Sequence, residues 1–293
     1  MIDSSARPPD RDDGSLPRII AHRGFAGAAP ENTVLAARRA ATGPGRASMV
    51  EVDVMPTGDG TVVCFHDQHL HATGASRGIT DAEGKVWETA DDVVLDAGVL
   101  DSGETVPRLA DVLSALPDEV GVNAELKNPG SEKIRPGASL APDELAEQRA
   151  LWDPFVEDVV EVVAPTGNEV LFSSFCEAAL AATRDAAPSI PIGVLAGTSL
   201  EDCLAIADRY DAEAVHPPWD LVRGTPFAGT SEYVADPPAI DVVAEAHDAG
   251  RAVNVWTVDT WYRADQLAQA GVDGLIADYP GLLPPNNDTE AEE

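Results

Sequence analysis

Two carboxylates two residues apart, Glu51 and Asp53, lie in the apolar run Met49-Val50-Glu51-Val52-Asp53-Val54. In an extended strand residues i and i+2 project to one face, so the acids share a face and the valines take the other. Like charges held side by side in a partly buried place cost free energy unless a cation neutralises them. Carboxylate oxygens suit a hard divalent cation such as Mg²⁺ or Ca²⁺. The run Asn123-Ala124-Glu125-Leu126-Lys127 repeats the pattern. Glu125 completes a three-carboxylate metal set, and Lys127 on the same face supplies positive charge for an anionic substrate; the competing reading is a structural Glu125–Lys127 ion pair. His22 leaves one apolar run into Arg23-Gly24, and His66 closes another into Asp67. Imidazole is the side chain whose ordinary pKa lies near neutrality. Two of them beside a metal and a cationic clamp could act as acid and base in phosphoryl transfer. The competing reading for His22-Arg23-Gly24 is a surface turn. His69, His71, His216 and His247 lack such a context and read as structural or solvated, with His216, at a strand end, left open.

These residues need a scaffold that brings strand ends together. Short apolar runs at residues 18–21, 49–54, 122–126, 170–174, 191–195, 213–216, 252–257 and 274–278 alternate with helix-periodic stretches at 33–42, 109–116, 155–163, 176–187, 200–208, 239–249 and 262–270. Alternation at this spacing signals βαβ units and a parallel sheet, and eight such strands suit an α/β (β/α)8 TIM barrel, whose active site lies at the C-terminal ends of the strands. An open doubly wound sheet is the alternative, but no GxGxxG follows any strand. A ninth strand-like run, 61–66, follows the turn signal Gly58-Asp59-Gly60. Residues 67–107, rich in Gly, Asp and Thr, read as a small inserted subdomain after the second strand. Residues 128–142 read as a long loop, 1–17 as a disordered N-terminal arm, 18–283 as the barrel and 284–293 as an acidic tail.

The 293 residues carry 19 basic against 51 acidic side chains, a formal charge of −32. That balance argues against nucleic acid or an anionic membrane as partner. Lysine occurs only at positions 85, 127 and 133. An acidic, lysine-poor surface on an ordinary core fits a halophilic protein, in which high salt screens self-repulsion. No apolar run is long enough to span a bilayer, and the polar N-terminus lacks a signal-peptide pattern, so the expectation is a cytoplasmic protein without a stable membrane anchor. Cys64, Cys176 and Cys203 form no CxxC pair and read as core thiols.

The ordered set His22-Arg23-Gly24, Pro30-Glu31-Asn32-Thr33, Glu51-Val52-Asp53-Val54, Thr57-Gly58-Asp59-Gly60, His66-Asp67 and Glu125-Leu126-Lys127 resembles the glycerophosphodiester phosphodiesterase family, among the phosphatidylinositol-phospholipase-C-like TIM barrels. Pro107-Arg108-Leu109, Ser173-Ser174-Phe175, Trp256-Thr257-Val258-Asp259 and Asp273-Gly274-Leu275-Ile276-Ala277-Asp278 agree, so the resemblance covers about residues 22 to 280. It implies a divalent cation on Glu51, Asp53 and Glu125, His22 and His66 as the catalytic pair, Arg23 and Lys127 on the phosphate, and Trp256 near the glycerol, the competing reading for Trp256 being barrel packing. It also implies a small-molecule glycerophosphodiester substrate, cut to glycerol phosphate and an alcohol through a cyclic phosphate. Lysophospholipase D or sphingomyelinase D chemistry on the same barrel, and a non-catalytic glycerophosphodiester-binding barrel, are the alternatives. The chain departs from the family at Leu70-His71-Ala72-Thr73-Gly74, where the family usually shows Leu-x-Arg-Thr-Thr, at Arg38, where it tends to place an aromatic, and in the long loop after Lys127.

Overall fold

The computed structural model describes residues 16–43, 45–197, 199–230 and 239–284. The expected N-terminal arm, apart from Leu16 and Pro17, and the expected acidic tail, apart from Pro284, lie outside the described residues. The strands among the described residues are β1 (Arg18–Ala21), β2 (Met49–Pro56), β3 (Val62–Cys64), β4 (Gly98–Val99), β5 (Glu104–Thr105), β6 (Gly121–Leu126), β7 (Val170–Ser174), β8 (Ile192–Leu195), β9 (Ala214–His216), β10 (Ala252–Val258) and β11 (Gly274–Ala277). The main sheet runs β1-β11-β10-β9-β8-β7-β6-β2-β3, and a further pairing of β1 with β2 closes it. All of its pairings are parallel except β2 with β3. The result is a closed eight-stranded parallel barrel with β3 as an antiparallel flap on β2. The α-helices among the described residues are α1 (Val34–Ala41), α2 (Asp91–Asp96), α3 (Leu109–Ala115), α4 (Pro142–Val163), α5 (Glu177–Ala186), α6 (Leu200–Arg209), α7 (Val242–Asp248) and α8 (Trp261–Gln269).

The alternation along each strand sorts its side chains between two apolar layers. Val50, Val52 and Val54 of β2, Val122, Ala124 and Leu126 of β6 and Phe172 of β7 join the large core between barrel and helices. The opposite set includes Ile20, Met49, Leu171, Ala214 and Ile276, a small apolar plug inside the barrel against which Trp256 packs. Above that plug the inward positions of β2 and β6 turn polar. β6 pairs with β2 so that Asn123 lies level with Glu51 and Glu125 with Asp53.

Residues 67–107 rest on the β2–β3 hairpin. Leu70, Val86, Val94, Ala97, Val99 and Val106 share a separate apolar cluster with Met55, Val63 and Phe65, so this segment is anchored by the strand that carries Glu51 and Asp53. Helix α4 extends well upstream of the periodic stretch at 155–163. Its first half buries only Gln148 and Trp152, too sparse a stripe to register as amphipathic, and Pro142 starts it at a position where a missing N–H costs nothing. Gln148 then donates to the Lys133 carbonyl at 2.9 Å, tying α4 to the long loop. No helix among the described residues is long and apolar enough to cross a membrane.

Phe172 is fully buried between barrel and helices. Phe172→Ala is expected to lower unfolding stability by about 3–5 kcal/mol through lost transfer energy and a residual cavity, as measured by denaturant titration. A loss below about 1 kcal/mol would mean that this layer collapses freely and is not the packed core described.

Candidate active site

Glu51, Asp53 and Glu125 offer carboxylate oxygens that all lie within 4.8 Å of one another, and all three residues are buried. At that spacing each like-charge pair costs about 3 kcal/mol at an effective dielectric near 20. Three pairs would then approach the whole stability of a typical domain. The protein answers with fixed positive charge and donors. The Asp53 carboxylate accepts a hydrogen bond from Asn32 Nδ2 at 2.9 Å and lies 3.1 Å from Arg23 Nε and 3.3 Å from Lys127 Nζ. Lys127 Nζ also donates to Glu125 at 2.9 Å. Glu51 accepts from the Arg23 backbone N–H at 2.8 Å. Burial alone would raise the Asp53 carboxyl, but Lys127 and Arg23 hold it well below the usual carboxylate range. Burial, with Asp53 and Glu125 beside it, pushes Glu51 well above that range. An all-oxygen donor set in which one carboxyl, Glu51, has no cationic side chain in ion-pair contact among the described residues fits a hard divalent ion, which would restore the balance.

Local backbone geometry sets these contacts. After β1 the chain turns through left-handed φ values at Arg23 (51°) and Gly24 (76°). A Cβ on Gly24 would lie 2.7 Å from that of Ala36, so the turn packs directly on α1. Asn32, also left-handed at φ 56°, a conformation Asn tolerates, meets Asp53 twice: besides the Nδ2 bond, its Oδ1 accepts from the Asp53 N–H at 3.1 Å.

The two histidines lie in one cavity of about 190 Å³ with Arg23, Glu51, Glu125 and Lys127, closed by Phe175 and Trp256. His22 Nδ1 lies 2.7 Å from Asp278 Oδ1, just beyond β11, and His66 Nδ1 lies 2.7 Å from Asp67 Oδ1. Each ring thus has one nitrogen engaged by a carboxylate, which leaves Nε2 for a substrate. The structure brings all eight sequence-selected residues, Asp53 included through its contacts to Lys127 and Arg23, into one constellation. Arg23 and Lys127 are already ion-paired there, and both still line the cavity. Trp256 both lines the cavity and packs on the barrel plug, its ring edge-on to Phe175 at 5.5 Å and its Nε1 donating to the His216 carbonyl at 2.7 Å. His216 is buried and neutral, pushed down to about 3 by burial, and accepts from Asn254 at 3.0 Å. His247 pairs with Asp273 at 2.8 Å, and His71 accepts the Gly84 N–H at 3.2 Å.

Arg77 carried no signal in the sequence, being a lone arginine in Thr73-Gly74-Ala75-Ser76-Arg77-Gly78. In the fold it forks onto both oxygens of Glu31, each at 2.7 Å, and onto Asp67, with its backbone N–H at 2.6 Å and Nη2 at 3.0 Å. Glu31 also accepts from Arg23 at 3.0 Å. A chain of alternating charge therefore runs from His66 through Asp67, Arg77, Glu31 and Arg23 to Asp53. Asp278 and Glu31 belong to segments that stood out in the sequence, but their pairing with His22, Arg23 and Arg77 is a product of the closed barrel.

Two carboxylate-held histidines thus lie beside an acidic cluster in an eight-stranded barrel, a fold whose enzymes place their active sites at the C-terminal ends of the strands. Comparison with known proteins narrows this. The family model of the glycerophosphoryl diester phosphodiesterase family matches residues 22–282. A glycerophosphodiester phosphodiesterase of Caldanaerobacter subterraneus subsp. tengcongensis is 29% identical over 279 residues, covering 90% of this chain and 95% of that protein. One from Bacillus altitudinis is 27% identical over 271 residues, covering 90% and 96%. Among solved structures, an Oleispira antarctica phosphodiesterase in complex with its product sn-glycerol-3-phosphate superimposes with a TM-score of 0.68 at 26% identity, over 90% of this chain and 94% of that one. The chain belongs to the glycerophosphoryl diester phosphodiesterase family. It is an enzyme of that class, a hydrolase of glycerophosphodiesters.

Burial alone would raise the Asp67 carboxyl, but its hydrogen bonds with His66 and Arg77 hold it well below the ordinary value. A carboxyl depressed in the folded state stabilises the protein above its unfolded pKa of about 3.9, and that contribution is lost as pH falls below it. The melting temperature is therefore expected to drop as pH is lowered from about 5 toward 2, and Arg77→Ala to flatten that dependence. Parallel pH–stability curves for the two proteins would remove Arg77 from the network.

Proposed function

We propose that this enzyme cleaves glycerophosphodiesters to glycerol phosphate and an alcohol with His22 and His66 as its acid–base pair and a divalent cation held by Glu51, Asp53 and Glu125. The observation that carries the reading is the pair of imidazoles, each engaged at Nδ1 by a carboxylate at 2.7 Å, in one cavity with the three acids. A bound Mg²⁺ or Ca²⁺ supplies charge stabilisation to the phosphoryl oxygens. Arg23 and Lys127, anchored on carboxylates at the cavity wall, add fixed positive charge where the transition state gathers negative charge, and being prepaired they need no rearrangement to do so.

In the first step one imidazole takes the proton from a glycerol hydroxyl as its oxygen bonds to phosphorus. The other imidazole gives its proton to the leaving alkoxide as the phosphorus–oxygen bond to the alcohol breaks. The product is a cyclic phosphate and the free alcohol, with the two rings in exchanged protonation states. Water then reverses the roles: the ring that lost its proton accepts one from water, the other returns its proton to the glycerol oxygen, and the cycle closes. Asp278 and Asp67 make this exchange symmetric in kind, since each favours an Nδ1–H tautomer and stabilises the imidazolium that forms. We assign the reaction to the cell interior, and the −32 charge to work at high ionic strength.

Release of glycerol phosphate from glycerophosphocholine, glycerophosphoethanolamine and glycerophosphoglycerol, followed directly in molar salt with Mg²⁺ or Ca²⁺, tests the reading. His22→Ala and His66→Ala are each expected to lower kcat by about 10²–10⁴-fold with melting temperatures near that of the parent. A large stability loss without a rate-specific defect would make the rings core residues. Chelation is expected to abolish turnover and either metal to restore it; full activity after exhaustive chelation would sink the cation site. Separately, the melting temperature is expected to rise with salt, and equal stability in dilute buffer would contradict the halophilic assignment.

A further inference from the structure

The active-site cavity has two lobes. The inner lobe, about 190 Å³, reaches down to Asn123, Ser173, Leu195, Trp256 and Ile276. The outer lobe, about 170 Å³, runs toward the long loop after β6, against Met55, Ile134 and Pro136. His66, Glu125, Lys127 and Phe175 line both and form the waist between them, whereas His22 and Glu51 border only the inner one.

The lobes differ in how their polar groups are satisfied. In the outer lobe, Asn128 Nδ2 donates to the Ser131 carbonyl at 3.1 Å and its Oδ1 accepts the Gly130 and Ser131 N–H groups at 2.8 Å each. Ser174 Oγ donates to the Leu126 carbonyl at 2.9 Å and accepts from Cys176 at 3.0 Å. In the inner lobe, Asn123 and Ser173 are each 1% exposed. Neither amide atom of Asn123 nor the hydroxyl of Ser173 has a hydrogen-bond partner among the described residues. The strand register sets both beside the acids: Asn123 is level with Glu51, and Ser173 with Glu125. Buried polar groups are rarely left unpaired, and those that are point to a ligand or water.

We propose that Asn123 and Ser173 form a subsite for the hydroxyl groups of a polyol phosphate, and so hold the glycerol end of the diester in the inner lobe while the alcohol lies outward in the other. The proposal rests on the phosphodiesterase reading of the site. An alcohol hydroxyl both donates and accepts, as do the Asn123 amide and the Ser173 hydroxyl taken together. Trp256, Leu195 and Ile276 face the same lobe and offer apolar surface to the carbon chain between hydroxyls. In the outer lobe the Asn128 and Ser174 side chains are already paired, and the remaining amide there, Gln68, is exposed to solvent rather than buried. Orientation follows: the waist places His66 between the two ends, and His22 on the glycerol side.

The test is binding of two probes to the Mg²⁺-loaded protein by calorimetry: racemic glycerol phosphate, and propyl phosphate, which has three carbons and no hydroxyl beyond the phosphate. The parent is expected to favour glycerol phosphate by about tenfold or more, the scale of one or two satisfied buried hydrogen bonds. Ser173→Ala and Asn123→Leu should each erase most of that preference and leave propyl phosphate affinity unchanged. Their ligand-free melting temperatures should equal or exceed the parent's, since each removes an unpaired buried polar group. Should Asn123→Leu not fold, Ser173→Ala, which deletes one oxygen, carries the test. Variants that keep the full preference would overturn the subsite and assign those atoms to a structural water, and a parent that binds both phosphates equally would overturn it too. A parent that binds neither would overturn the phosphodiesterase reading itself.

Discussion

Three carboxylates crowded within 4.8 Å on two neighbouring strands are the constraint around which the mouth of this barrel is organised. Left alone, their mutual repulsion would rival the net stability of the fold. Lys127 spans Glu125 and Asp53, Arg23 approaches Asp53 with its side chain and Glu51 with its backbone, and Asn32 bonds Asp53 from a left-handed turn. These groups do not simply cancel the charge. Asp53 is held ionised while Glu51 is pushed the other way, and the asymmetry leaves room for one more positive charge. A divalent ion bound there would attract the anionic phosphate that the carboxylates alone would repel.

Compensation continues outward in alternating sign. Arg23 needs Glu31, Glu31 is forked by Arg77, and Arg77 forks Asp67, the carboxylate that orients His66. A buried ion pair is poor support for stability in general, since desolvation offsets much of its attraction. Its worth here is positional: Arg77 comes from residues 67–107, where it holds Asp67, and its fork onto Glu31 ties that segment to the turn after β1. The segment's own apolar contacts through Met55, Val63 and Phe65 provide the cohesion that the charges lack. The position of the His66 ring thereby depends on a segment that contributes no strand to the barrel.

Below the charges the barrel interior changes character. The apolar plug formed by Ile20, Met49, Leu171, Ala214 and Ile276 excludes water from the lower half, and that low dielectric strengthens every electrostatic contact above it. His216, buried and neutral, shows how strongly the interior resists charge. The thiols of Cys176 and Cys203 are likewise pushed up to about 12 by burial, which leaves them inert as nucleophiles.

The barrel and the residues that gather at its candidate site were legible in the sequence because both are written in short-range pattern. Glu51 and Asp53 had to share a face since strand periodicity is two, and β1 and β7 begin and end where the apolar runs at 18–21 and 170–174 do. The first half of α4 was not legible, because a helix that buries only Gln148 and Trp152 there has too little periodicity to announce itself. Nor were the partners that hold the site. Asp278 meets His22 across 256 residues and Arg77 meets Glu31 across 46, and no local pattern encodes an ion pair whose ends are joined only when the sheet closes. The unpaired state of Asn123 and Ser173 is of the same kind, since an alternating strand shows which way a side chain points but not whether anything waits there to bond it. Residue type and spacing determined which groups could react; closure of the barrel decided which of them meet, and which stay without a hydrogen-bond partner among the described residues.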